Sequence, residues 1–263
     1  DLKEALRFLK ESLRMKQSLH GDVDHPGIAV TLHEIGNVTA QTGDLKEALR
    51  FLKESLRMEQ SLHGDVDHPG IAATLHEIGN VTAQTGDLKE ALQFLKESLR
   101  MKQSLHGDVD HPGIAATLHA FGHVTALTGD LKEALRFLKE ALRMKQSLHG
   151  DVDHPGIAVT LHEIGNVTAQ TGDLKEALRF LKESLRMKQS LHGDVDHPGI
   201  AVTLHEIGNV TAQTGDLKEA LRFLKESLRM QQSLHGDVDH PVTLHEIGNV
   251  TAQTGDLKEH CGS

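Results

Sequence analysis

Histidine is the residue type best placed to do chemistry in this chain: 20 of the 263 residues are histidine, against one cysteine and no tryptophan or tyrosine. In one pattern His, Asn and Gln follow one another at four-residue steps. The sets are His33, Asn37, Gln41; His76, Asn80, Gln84; His162, Asn166, Gln170; and His205, Asn209, Gln213. Residues four apart share one face of a helix, so each set lines up an imidazole and two carboxamides, groups that hydrogen-bond a ligand. One set departs from its siblings and reads His119, His123, Leu127, with Ala120 in place of Glu and Phe121 in place of Ile. That central site is less acidic and more apolar, which reads either as a specificity pocket or as neutral drift in a redundant array.

A second pattern gathers His63, Asp65, Asp67 and His68 in one loop. Imidazole and carboxylate suit zinc or nickel, but the spacing fits no defined finger or protease motif. Asp67 or His68 serves better as the cap of a helix opening at Pro69, and no metal is expected. Cys261 sits in a terminal His-Cys-Gly-Ser with no base partner in sequence, and neither a phosphate-cradling glycine loop nor a serine-centred elbow occurs. No catalytic residue and no cofactor follow.

The formal charge of −10 argues against nucleic acid and anionic membrane surfaces. A basic row, Lys46, Arg50, Lys53 and Arg57, is interrupted by Glu47 and Glu54 in the same turns, the mark of a solvated face. No run approaches the 18 or more apolar residues of a membrane span, and residues 1 to 20 lack the apolar core of a signal peptide. A cytoplasmic location is the expectation, and the lone cysteine is compatible with it.

The elements that must position these residues are repeats. Asp-Leu-Lys-Glu recurs at Asp1, Asp44, Asp87, Asp130, Asp173, Asp216 and Asp256, at steps of 43 residues five times and then 40. A fixed period of this length signals stacked supersecondary units. From Asp44, Leu45, Ala48, Phe51, Leu52, Ser55, Leu56, Met58 and Leu62 follow helical spacing. Asp44 with Glu47 reads as an Asp form of the capping box. A second helix opens at Pro69, a residue suited to a first turn, and its stripe is Ile71, Ala72, Leu75, Ile78 and Thr82. Gly79 costs about 1 kcal/mol in a helix interior, so a neighbouring helix is expected to approach it closely.

Residues 1–263 therefore form a single array: a lone helix over 1–19, helix pairs starting at 26, 69, 112, 155 and 198, a truncated copy over 241–260 and a tail over 260–263. Both ends read as cut. With no tryptophan or tyrosine and seven phenylalanines, the core must be Leu, Ile, Val and Ala.

These spacings resemble the tetratricopeptide repeat. Its pattern of large and small positions is met by Leu32, Ile35, Gly36, Thr39, Ala48 and Leu52, and again by Leu75, Ile78, Gly79, Thr82, Ala91 and Leu95. The longer unit, with Gly64, Asp67, His68 and Pro69 ahead of the first helix, is similar to kinesin light chain repeats, although the family's aromatic positions hold Leu or Thr. The resemblance implies an all-α solenoid, a right-handed superhelix. Its first helices line a concave groove that binds peptide or protein segments, here through the fifteen positions from His33 to Gln213 named above, with Val30 and Ala40 beside them. Some relatives grip a carboxylate with a lysine and an asparagine one turn apart; Asn37 matches the asparagine, but His33 stands where the lysine would be. Kinesin light chain asparagines that grip the peptide backbone correspond to His33 and Glu34, so that acidic-peptide preference does not carry over.

A non-enzymatic interaction scaffold is thus the leading expectation, with a merely solvated polar face as the plain alternative. Near identity of the copies supports a second kind of function, a structural or designed array that self-assembles head-to-tail through its terminal helices without a specific ligand.

Overall fold

A computed structural model describes residues 1–21, 23–64, 66–107, 109–193, 195–235 and 240–261, with residue 235 and residues 256–261 as backbone only. Among the described residues there are twelve α-helices and no strand, so the chain is an all-α repeat array. It divides into two compact units, residues 1–137 and 138–263. The first holds α1 (Leu2–His20), α2 (Pro26–Gln41), α3 (Leu45–His63), α4 (Pro69–Gln84), α5 (Leu88–His106), α6 (Pro112–Leu127) and the start of α7 (Leu131–His149). The second holds the rest of α7, then α8 (Pro155–Gln170), α9 (Leu174–His192), α10 (Pro198–Gln213), α11 (Leu217–His235) and α12 (Pro241–Cys261).

Each boundary has a local cause. Asp44 accepts from the Glu47 backbone N–H at 3.1 Å and caps α3. Only half of the expected capping box forms, because the Glu47 carboxylate turns to Arg50 at 2.6 Å instead of reaching back. Before α4 the cap is His68, whose Nδ1 accepts from the Gly70 N–H at 3.2 Å. Gly43 and Gly64 end their helices at φ 88° and 68°, a region that costs a side chain and suits glycine. The seventh Asp-Leu-Lys-Glu does not open a new helix: α12 runs unbroken from Pro241 to Cys261. The tail at 262–263 lies outside the described residues, as does the Cys261 side chain.

Helices pack as consecutive neighbours within each unit. In the first, Leu6, Leu9 and Leu13 of α1 meet Ile28, Ala29, Leu32 and Ile35 of α2 and Phe51 and Met58 of α3. The next layer joins Ala48 and Leu52 of α3 to Ile78 and Val81 of α4. The second unit repeats this with Ala177, Leu181 and Leu185 of α9 against Ile200, Leu204, Ile207 and Val210 of α10. Each Leu or Ile so buried contributes about 1.5–3 kcal/mol. Close approach is set by the helix-interior glycines, since a Cβ on Gly79 would lie 2.7 Å from Leu95 Cγ. Serine hydroxyls stitch the pairs, Ser55 donating to the Ala29 carbonyl at 2.8 Å and Ser184 to that of Ala158 at 2.6 Å.

Candidate functional site

The predicted His-Asn-Gln sets lie on α2, α4, α6, α8 and α10. In the first unit α2, α4 and α6 are successive neighbours; in the second α8, α10 and α12 are. In the regular sets, histidine and asparagine are half-buried and glutamine is exposed. Val30 is exposed as expected, whereas Ala40 packs against the Ala48–Leu52 layer.

What the sequence did not disclose is a buried layer beneath the histidines. In the first unit, Thr74 Oγ1 donates to Glu59 Oε2 at 2.9 Å, so toward His33 Nδ1, 3.0 Å away, it can only accept. His33 is thereby held as the Nδ1–H tautomer, and its Nε2 is free to accept from Asn37 Nδ2 at 3.0 Å. One repeat on, Thr117 Oγ1 donates to the Gly113 carbonyl at 2.9 Å and accepts from Lys102 Nζ at 2.8 Å. It therefore also accepts from His76 Nδ1, at 3.2 Å, and His76 Nε2 takes the Asn80 amide at 3.0 Å.

The second unit carries the same chain through Lys188, Thr203, His162 and Asn166, with Lys188 Nζ 2.7 Å from Thr203 Oγ1. There a further copy runs through Gln231, Thr243, His205 and Asn209. The Asn37, Asn166 and Asn209 Oδ1 atoms are buried without a partner.

Burial pushes His76 down to about 4, with the Lys102 and His119 charges adding to it. His162 is likewise held near 4 by burial and Lys188. Burial brings the Lys102 and Lys188 ammonium groups down to about 8. It raises the Glu77 and Glu206 carboxyls, against the pull of His33 and His205 respectively.

At the divergent set, Ala120 and Phe121 lean against the Ala91–Leu95–Val124 layer, and Phe121 meets Phe137 edge-on at 4.6 Å. Of the changes expected to shape a pocket, Ala120 thus turns partly toward the core, while His123 and Leu127 are exposed. In the second unit the site face holds an open cleft of about 530 Å³, lined by Asn209 and Gln213 of α10 and Glu246, Asn249, Val250 and Gln253 of α12.

The loop residues considered for metal are otherwise engaged. His63 stacks on His68 at 3.6 Å, and Asp67 is gripped by Arg100 at 2.6 Å; Asp65 lies outside the described residues. Such an Arg–Asp clasp recurs at Arg57–Asp24, Arg186–Asp153 and Arg229–Asp196. The basic row is paired as its alternating charges suggested, Arg50 with Glu47 and Arg57 with Glu54. Among the described residues no helix is long and apolar enough to cross a membrane.

A comparison with curated proteins found no match. Solved structures are similar in fold. The Podosopora anserina kinesin light chain nearly identical TPR-like repeats superpose with a TM-score of 0.65 at 22% identity, over 82% of this chain and 100% of theirs. BtubC (BKLC) from P. vanneervenii gives 0.73 at 18%, over 92% and 95%. YrrB, a TPR protein with an unusual peptide-binding site, gives 0.51 at 19%, over 89% and 96%. One tetratricopeptide repeat family model matches residues 1–61, 28–104 and 70–147, and a second matches 157–199 and 200–242. With matches running through both units, the chain belongs to the tetratricopeptide repeat family, whose fold is that of a protein-interaction scaffold.

Proposed function

We propose that the chain is a non-enzymatic scaffold that binds extended peptide or protein segments on the His-Asn-Gln face of each unit. The observation that carries this reading is the cleft between α10 and α12, where Asn209 and Gln213 line open space while the paired His205 stays anchored beneath. Repetition of the set makes weak single sites sufficient, because a second engagement is intramolecular once the first is made. His119, His123 and Leu127 give the central position a different, more apolar preference. Calorimetry of a short-peptide library against the intact chain and against a His123→Asn, Leu127→Gln variant tests this. Binding with altered preference in the variant is expected; a library in which no member binds either protein overturns the reading.

A second reading, head-to-tail self-association, is favoured by one observation. The sequences of α1 and α9 are identical, yet Phe8 is 55% exposed where its counterpart Phe180 is 7% exposed. At the other end, Leu244 of α12 is 48% exposed where Leu204 of α10 is 4% exposed, and Gly248 meets nothing where Gly208 meets Leu224. The open face of α1 is the kind that α9 buries, and the open face of α12 is the kind that α10 buries, so a second copy fits. Such a heterologous contact need not close. Light scattering from micromolar to millimolar protein is expected to show growing mass that Phe8→Glu abolishes; a strict monomer throughout counts against it.

A further inference from the structure

His119 and His123 of α6 are the only histidines in the chain that stand four residues apart. Two imidazoles at that spacing share one helix face, the arrangement by which a helix chelates a metal ion. We propose that His119 and His123 form a two-nitrogen chelate for a divalent late transition-metal ion, of the class Zn²⁺, Cu²⁺ and Ni²⁺, in the one site-face set that departs from its siblings.

The regular sets fix the spacing. At Asn37, Asn80, Asn166 and Asn209, the carboxamide Nδ2 lies 3.0–3.1 Å from Nε2 of the histidine one turn before it. Helix α6 keeps the same frame, opening at a proline behind a histidine cap and running for the same 16 residues as α2 and α4. Histidine Nδ1 is bonded to Cγ, as Nδ2 is in asparagine, so His123 in the asparagine rotamer brings a ring nitrogen to the place of the carboxamide nitrogen. Two nitrogens bound about 2.1 Å from one zinc ion lie about 3.0–3.4 Å apart, and the frame supplies that separation.

The other changes in the set serve the same end. In α4, Glu77 Oε1 stands 3.9 Å from His76 Nε2. In α6 the corresponding residue is Ala120, so no carboxylate on the helix contests the His119 nitrogen. His119 is half-buried and His123 exposed. Leu127, 55% exposed, sets an apolar side chain next along the same face where the siblings carry glutamine. Nitrogen donors without a carboxylate suit zinc, copper and nickel, whereas calcium and magnesium demand oxygen.

The loop histidines offer no such chelate. His63 and His68 stack face to face at 3.6 Å, which sends their lone pairs side by side instead of toward one point, and His68 Nδ1 is committed to the Gly70 N–H. Among the described residues no three His, Cys, Asp or Glu side chains are gathered to hold a metal ion. The protein thus supplies two ligands, and the ion's remaining positions are open to exchange. On the binding-face reading, an imidazole or carboxylate of a bound segment enters there, which gives α6 a preference that its siblings lack.

Calorimetric titration of Zn²⁺ into the tag-free, chelator-treated full chain at pH 7 tests the chelate with no peptide present, so its failure and that of peptide binding are told apart. One equivalent is expected to bind more tightly than any other. His123→Asn, which installs the sibling residue, is expected to weaken that equivalent by at least about tenfold, since losing even a group that only orients a ligand costs about 10–100-fold. Glu77→Ala combined with Asn80→His rebuilds the pair in α4 and is expected to add a second equivalent. In ¹H–¹⁵N spectra with substoichiometric Cu²⁺, the amides of α6 are expected to broaden first. Circular dichroism confirms that each variant folds. Zn²⁺ affinity unchanged by His123→Asn overturns the proposal, as does broadening that begins at the stacked loop histidines, either of which makes the metal adventitious only. A folded α4 variant that adds no equivalent overturns it too; should that variant not fold, His123→Asn decides alone.

Discussion

At the residue scale, glycine inside a helix separates two opposed effects. Gly79 has no room: an added Cβ lies 2.7 Å from Leu95 Cγ and 3.2 Å from the Ala91 carbonyl, and Leu95 is fully buried. Gly79→Ala gains about 1 kcal/mol of helix propensity but overpacks the layer at a cost of about 1–3 kcal/mol, so net destabilisation is expected. Gly248, at the same position of α12, meets nothing within 4 Å. There Gly248→Ala is expected to stabilise by about 0.5–1 kcal/mol. Urea denaturation of the two variants measures the difference in sign. The tight approach at Gly79 was legible in sequence because an interior glycine needs a packing reason. Glu59 was not, because acidic side chains are almost never fully buried unless paired, and its partner Thr74 is recruited from the next helix pair.

At the scale of the element, the helix starts are where histidine does structural work. His68, His111, His154 and His197 each cap the following helix through Nδ1 and stack on the histidine that closes the preceding one. Burial, then the neighbouring imidazole, holds all four below the usual histidine range. Protonation removes the acceptor and places a cation at a helix N-terminus, both unfavourable. His68→Ala is expected to cost about 1 kcal/mol at pH 7, the usual worth of a cap. His68→Asn keeps an acceptor that does not titrate, so it is expected to match the parent at pH 7 and exceed it at pH 5, as thermal melts at the two pH values will show. Sequence reading located the cap but left it between Asp67 and His68. Only the fold brings Arg100 onto Asp67 and thereby leaves the histidine for the helix.

For the molecule as a whole, the same residue type recurs in the same environment, and its proton linkage accumulates with one sign. His76 and His162 are held near 4 in the folded chain against about 6.5 unfolded. A base whose affinity for protons is depressed by folding contributes stability that is present above pH 6.5 and is lost as pH falls through 6.5 toward 4. Each histidine contributes up to about 3 kcal/mol over that window. The four capping histidines act in the same direction. Glu77 and Glu206 oppose it, since their raised carboxyls favour the folded state on acidification, but two carboxyls stand against six histidines. Asp24, Asp67, Asp153 and Asp196, held below the usual carboxylate range by their arginines, lose their contribution only near and below pH 4. Stability is therefore expected to fall between pH 7 and pH 5, before any carboxylate of the Arg–Asp clasps is protonated. Urea midpoints measured at half-unit steps over that range, in the parent and in a His76→Gln, His162→Gln variant, check it. A parent curve flat from pH 7 to pH 5, or one as steep in the variant as in the parent, contradicts the assignment of that loss to the buried histidines of the site face.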